Sequence, residues 1–266
     1  MRRPPRSGFA VCGIVATLLA GACRADGGSP SATTTSAPLT TTSSTTPPEA
    51  EPTVVTDRRR DTTDTASYDV AVPVLAGLAD AEVRARVNAT IEQWAGEVIS
   101  GFLAGAAAPP AGEPAGAVST LTATYEVGVI GPRLLSLRLA ADVAIASAAT
   151  ANTTVRTLNF DLRTGAQLAL ADLFEPGAPY LEELASLARS QISANFDDFG
   201  DPGAVADGTE PREENFDAWL LLPENLQVNF DQGQVAARAA GVVKVSVPYD
   251  DLEALAVGDG PISVLT

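Results

Sequence analysis

Two neighbouring stretches constrain this fold more than anything else in the chain. Leu121, Ala123, Tyr125, Val127 and Val129 alternate with Thr122, Thr124 and Glu126. After the turn signal Gly131-Pro132, Leu135, Leu137, Leu139, Ala141, Val143 and Ile145 alternate with Ser136, Arg138 and Asp142. A period of two sends one set of side chains to a core and the other to solvent. The short connection makes the two strands antiparallel neighbours. The centre of the chain is therefore a half-buried antiparallel sheet.

The flanks extend it. Tyr68 to Val74 reads as a strand, ended by Pro73 and Gly77. Asp80 can cap a following helix whose apolar face is Val83, Val87, Ile91, Trp94, Val98 and Phe102. Ala104 to Gly116, with Pro109, Pro110, Gly112 and Pro114, reads as a loop. Thr153 to Leu162 is a further strand, and Asp161-Leu162-Arg163-Thr164-Gly165 a hairpin loop in which Gly165 is free to take positive φ. The short apolar stretch Leu168 to Phe174 leads to a second helix from about Pro179, with the stripe Tyr180, Leu184, Leu187, Ala188 and Ile192. Asn195 to Glu214 reads as an acidic loop. Strands at Trp219–Leu222, Leu226–Phe230 and Val242–Val247 and a helical turn around Asp250–Leu255 complete the pattern. Runs of strands with two inserted helices predict an α+β fold with a largely antiparallel sheet.

The N-terminus predicts export. Arg2, Arg3 and Arg6 precede an apolar run from Phe9 to Ala20, too short to span a bilayer, and then Ala20-Gly21-Ala22-Cys23. Small residues before a cysteine suit lipoprotein processing, with acylation of Cys23; they also suit ordinary cleavage and secretion. Both routes cut before Cys23. Cys12 is then lost, and Cys23 is the single cysteine left, so no intramolecular disulfide is expected. Residues 1–22 are read as signal peptide and 23–66 as a disordered tether, because Ser29 to about Thr65 is dominated by Ser, Thr and Pro with too few large apolar groups to offset ordering. A flexible coil of ~40 residues spans roughly 35 Å, enough to lift a domain off a membrane. Arg58-Arg59-Arg60 reads as solvated linker. Residues 67–152 and 153–266 form the N- and C-terminal α+β halves of the folded part.

Composition excludes several functions. The chain has no histidine, so a Ser-His-Asp triad, a Cys-His pair and His-ligated zinc or iron are out. Thirty-three acidic against seventeen basic residues, a formal charge of −16, argue against a nucleic-acid partner. Loss of residues 1–22 removes three arginines and no acid, which takes the charge to −19.

One stretch resembles a known family. Asn159-Phe160-Asp161-Leu162-Arg163-Thr164-Gly165, followed by Leu168, Leu170-Ala171-Asp172-Leu173-Phe174 and Tyr180-Leu181, is similar to the extracellular domain of RsiV-type anti-sigma factors. That domain of unknown function also occurs beside the catalytic domain of some peptidoglycan deacetylases and in a secreted mycobacterial antigen. Phe230, Val235, Gly241, Val243 and Val247-Pro248-Tyr249 extend the resemblance, and Tyr68, Pro73, Leu78, Val83 and Asn88 resemble the smaller domain before it. The resemblance implies an envelope-facing, non-catalytic binding or sensing domain; in RsiV proteins it is a receptor for lysozyme. The chain is not expected to be an anti-sigma factor itself, since no sigma-binding segment precedes the export signal. Gly233 and Arg238 stand where the family carries aromatics, so no ligand-binding residue is transferred.

Other candidate chemistry is sparse. Asp197, Asp198, Asp201 and Asp207, with Glu210, Glu213 and Glu214, crowd one segment, but their spacing is not that of a calcium loop and a solvated acidic loop is expected. Paired carboxylates also offer acid–base chemistry, which makes a carboxylate-dependent cell-wall hydrolase the alternative. Arg138 and Arg156 are read as structural ion-pair partners, Asp161 as opening the hairpin, Asp172 as fixing the bend before Leu173-Phe174, and Trp94 and Trp219 as core. The expectation is an extracytoplasmic, lipid-anchored binding lipoprotein with no metal, cofactor or catalytic residue, its partner a cationic envelope protein or a cell-wall component.

Overall fold

The computed structural model describes residues 51–107, 117–146, 151–195 and 202–266. The segment read as a signal peptide, Cys23, most of the Ser/Thr/Pro tract, and Asp197, Asp198 and Asp201 lie outside the described residues. The fold is α+β. Among the described residues, nine strands form a six-stranded sheet in the order β1-β2-β3-β4-β5-β6 and a three-stranded sheet in the order β7-β8-β9. All neighbours are antiparallel except β2 and β3, which run parallel on either side of helix α1.

β1 (Thr53–Thr62) corrects the tether, whose folded neighbour begins at about residue 53. Thr53-Val54-Val55-Thr56 is a β-branched run, and it pairs residue for residue with β2 (Ala66–Ala76). Arg58-Arg59-Arg60 is strand too. Arg58 and Arg60 both hold Asp69 on β2, and Arg59 reaches Glu92 on α1 at 2.6 Å. Pro73 does not end β2: it pairs with Thr56 inside it. β3 leaves β2 after Val70, so no neighbour needs the N–H that Pro73 lacks. Nearby, Asn88 of α1 takes the place of a strand, accepting from Leu75 N at 2.8 Å and donating to Leu75 O at 3.0 Å.

α1 (Ala81–Ala106) starts where Asp80 accepts hydrogen bonds from the N–H groups of Glu82 and Val83, and it runs three residues into the stretch read as loop. Its stripe Val87, Ile91, Trp94 and Phe102 packs on Val70, Val72, Leu121, Leu137, Leu139, Leu158 and Phe160 from the large sheet. Burying each such side chain contributes roughly 1.5–3 kcal/mol.

β3 (Ser119–Ile130), β4 (Leu134–Ala144), β5 (Asn152–Asp161) and β6 (Ala166–Gln167) follow as a meander. The hairpin between β5 and β6 closes with Gly165 at φ +71°. A 3-10 turn at Leu170–Leu173 leads to α2 (Tyr180–Asn195). The stretch read as an acidic loop contains a short helix, α3 (Pro202–Gly208), and a 3-10 turn at Glu213–Asn215. β7 (Trp219–Leu221), β8 (Asn225–Phe230) and β9 (Val243–Pro248) form the small sheet. A second hydrophobic cluster lies between it and α2: Leu184, Ala188, Ile192, Phe216, Phe230, Val245 and Val247, with Phe216 and Phe230 edge-to-face at 5.7 Å.

The boundary expected at 152/153 falls inside the large sheet, which continues through β5 and β6. The two hydrophobic clusters divide the chain between Leu162 and Leu170 instead, apart from Leu134 of β4, which faces the second. The solvent-facing side expected for β4 also needs correction. Ser136 is wholly buried and Asn159 nearly so, because β7 lies across them. Among the described residues, no helix is long and apolar enough to cross a membrane.

Candidate functional site

The edge strand β7 turns alternate backbone groups away from β8. Large-sheet side chains receive them: Leu221 N–H donates to Ser136 Oγ at 2.8 Å, and Trp219 C=O accepts from Asn159 Nδ2 at 2.9 Å. Ser136 in turn donates to Asn159 Oδ1. A second link runs from Arg138 Nε to Asn229 Oδ1 at 3.0 Å. Arg138 is thus structural, with Glu126 4.0 Å away, and Arg156 pairs with Glu97 on α1 at 3.3 Å.

Where β7 diverges from the edge of β5, a cleft of about 230 Å³ opens. Its lining is Thr157 and Asn159 of β5, Gln167 to Ala171 after the hairpin, Glu213 and Asp217 before β7, and Trp219. Thr157 Oγ1 donates to Asp217 O at 3.5 Å. Partial desolvation pushes the Asp217 carboxyl above its ordinary range, and the charge of Asp231 pushes it further. Asp231 is raised too, by desolvation, which the Val155 N–H partly offsets. Tyr180 stacks on Phe174 with 4.5 Å between ring centres and donates its hydroxyl to Glu213 at 3.3 Å. Desolvation, and then Glu213, raise the Tyr180 pKa.

A second cleft, of about 240 Å³, gathers Asp161, Arg163 and Asp172 with Arg133, Asp259 and Gly260. Here the hairpin residues do what the sequence expected of them. Asp161 O accepts the N–H of Gly165 at 2.7 Å, and its carboxylate pairs with Arg163 at 2.7 Å. That arginine draws the Asp161 pKa down. Asp172 Oδ2 accepts the N–H of Ala169 at 2.8 Å and fixes the bend. Trp94 and Trp219 are both core, at 4% and 3% exposure. Gly233 has φ +89°, with the Arg238 stem against it, and Arg238 reaches Asn152 at 3.3 Å.

Of the acidic residues singled out in the sequence that are among the described residues, only Glu213 lines the first cleft. Asp207 and Glu210 hold Asn215 through their carbonyls, and the Glu210 carboxylate pairs with Arg212. Among the described residues, no group of three or more carboxylates or cysteines is arranged to hold a metal ion. Sequence reasoning missed Thr157, Gln167, Asp217 and Asp231. Nothing in their local pattern sets them apart, and they meet only when the two sheets dock.

Residues 171–250 match a family described as "Protein of unknown function (DUF3298)". Over 95 residues the chain is 30% identical to the peptidoglycan-N-acetylmuramic acid deacetylase PdaC of Bacillus subtilis (strain 168). That region is 36% of this chain and 20% of PdaC, so the chain spans about a fifth of the curated relative. Two crystal structures share the fold. A DUF3298 family member from Bacteroides fragilis superposes with a TM-score of 0.56 at 16% identity, covering 82% of this chain and 97% of its own. A DUF3298 family protein from Pseudomonas aeruginosa PAO1 superposes with a TM-score of 0.55 at 13% identity, covering 80% and 95%. Of the resemblance read from the sequence, Ala171–Phe174 and Val247-Pro248-Tyr249 fall within the matched segment and the hairpin Asp161–Gly165 lies before it; over residues 171–250 the chain is similar to DUF3298 proteins.

Proposed function

We propose that this chain is an exported envelope lipoprotein, anchored through Cys23, whose folded region is a non-catalytic binding module for cationic partners. The observation that carries the reading is the acid-rimmed cleft at the edge of β5. Asp217 is partly desolvated and has Asp231, a like charge, as neighbour. A cation entering between Glu213 and Asp217 relieves that repulsion, and the net charge of −16 steers positive partners toward the surface. The Arg2–Ala20 pattern supports export. The likeness to part of a peptidoglycan deacetylase supports an envelope setting.

One observation favours a second reading, a carboxylate-dependent wall hydrolase. Glu213 and Asp217 line the same cleft, and a raised carboxyl pKa is what a general acid requires.

A single comparison separates the two. The full chain is incubated with wall glycans and esters, and in parallel its binding to basic and neutral wall-associated proteins is measured at two salt concentrations. Salt-sensitive binding of basic proteins without turnover is expected. Turnover abolished by Asp217→Asn or Glu213→Gln in a folded protein establishes the hydrolase.

A further inference from the structure

One wall of the acidic cleft is a stretch of β5 with no strand paired on its outer side among the described residues. In the β4–β5 register, Leu162 N–H donates to Arg133 O at 2.8 Å, so even-numbered residues of β5 direct their backbone groups to β4. Odd-numbered residues direct theirs outward. Asn159 O accepts Leu168 N–H at 2.7 Å, and the Val155 N–H is held by Asp231. By the same alternation Thr157, itself only 7% exposed, turns its N–H and C=O to the outer side of β5, where it lines the cleft. β6 pairs only with Phe160 and Asp161, so among the described residues no strand lies beside Thr157.

Two other strand edges are capped by side-chain amides. Gln191 donates to Ser246 O at 2.6 Å and accepts from Ser246 N at 3.2 Å on β9, as Asn88 does for Leu75 on β2.

Building on the binding reading above, we propose that the edge of β5 at Thr157 is a strand-addition site for a short, extended, basic segment of a partner protein. One residue of the segment exchanges backbone hydrogen bonds with Thr157. Directly opposed residues in a sheet put their side chains on the same face. The Thr157 hydroxyl reaches the Asp217 backbone carbonyl, so a lysine or arginine opposite Thr157 projects to the side of the sheet on which Asp217 and Glu213 line the cleft. About 230 Å³ holds one long side chain with its backbone and excludes a folded surface.

The test titrates the full chain with a labelled, end-blocked hexapeptide of alternating lysine and valine, read by fluorescence anisotropy. The same peptide with its backbone amides methylated removes the strand hydrogen bonds and keeps the charge. We expect methylation, and separately Asp217→Asn, to weaken binding roughly tenfold each, while Asp250→Asn, an equal charge change at an exposed remote site, shifts it less than about twofold. Equal binding of the methylated peptide overturns strand addition on the wild-type protein, whatever the variants do. Equal weakening by Asp217→Asn and Asp250→Asn overturns the location. If basic proteins bind the full chain and the peptide does not, the strand-addition site falls and the binding reading stands. If neither binds, both fall.

Discussion

Asn159 on β5 donates its side-chain amide to the backbone carbonyl of Trp219 on β7 across 2.9 Å, in a place almost closed to water. The bond ties the large sheet to the small one, and Ser136 completes it by linking Asn159 to the Leu221 N–H. A buried carbonyl or amide that loses its partner carries its full desolvation cost. The joint is therefore held by polar groups that match at few positions, and it also forms the inner end of the acidic cleft.

Replacing Asn159 by alanine strands Trp219 O and the Ser136 hydroxyl together. The expected loss is roughly 2–4 kcal/mol of unfolding free energy, measured by urea denaturation. A loss below about 0.5 kcal/mol, within the range of ordinary surface substitutions, contradicts the role given to this joint.

Gly128→Ala tests how closely the sheets approach. A Cβ at Gly128 overlaps the Leu221 carbonyl and stands 2.8 Å from Leu220 Cγ. Both obstacles belong to a buried strand, so the expected destabilisation is about 1–3 kcal/mol. Gly131→Ala is the control, since a Cβ there meets nothing within 4 Å. Equal melting temperatures for the two variants reject the close approach.

Asp69 gives a pH signature. Hydrogen bonds from Arg58 and then Arg60 lower its pKa from 3.8 to about 2. A carboxylate depressed by folding contributes stability above its unfolded pKa and loses it as pH falls through the folded one. The melting-temperature gap between wild type and Asp69→Asn should be constant above about pH 5 and close between pH 4 and 2. A gap that persists unchanged at pH 2 removes Asp69 as its source.

Asp217 has the opposite sign. Its raised pKa means that folding favours the protonated form, a contribution present below the unfolded pKa and lost as pH rises through the folded pKa. Asp217→Asn should melt higher than wild type at pH 7 and show a smaller advantage at pH 3. A variant that melts lower than wild type at pH 7 means the carboxylate is stabilising and the repulsion argument fails.

The anchor is tested by detergent partitioning. Wild type should enter the detergent phase through acyl chains on Cys23, and Cys23→Ala should be released or left unprocessed. Equal membrane retention of both, each cleaved, rules out the lipid anchor.

Where structure follows from neighbours in the chain, the sequence was legible. Asp80 announces α1, the apolar stripe from Val83 to Phe102 sets its buried face, and Gly165 takes the positive φ that the hairpin requires. Period-two alternation located β3 and β4, because a strand's two faces are written in consecutive residues. The same logic failed at β1, whose charged residues are strand only because Asp69 and Glu92 meet them from β2 and α1.

Sequence by itself determined the α+β class, most of the elements and the hairpin between β5 and β6. Tertiary structure decided which polar face becomes a joint. Ser136 and Asn159 look like the solvated side of half-buried strands, and they are buried because β7 brings unpaired backbone groups that only such side chains can satisfy. The cleft has the same origin. Thr157 and Asp217 are sixty residues apart and become neighbours when the small sheet docks on the large one, a contact between distant residues that leaves no local periodicity to read.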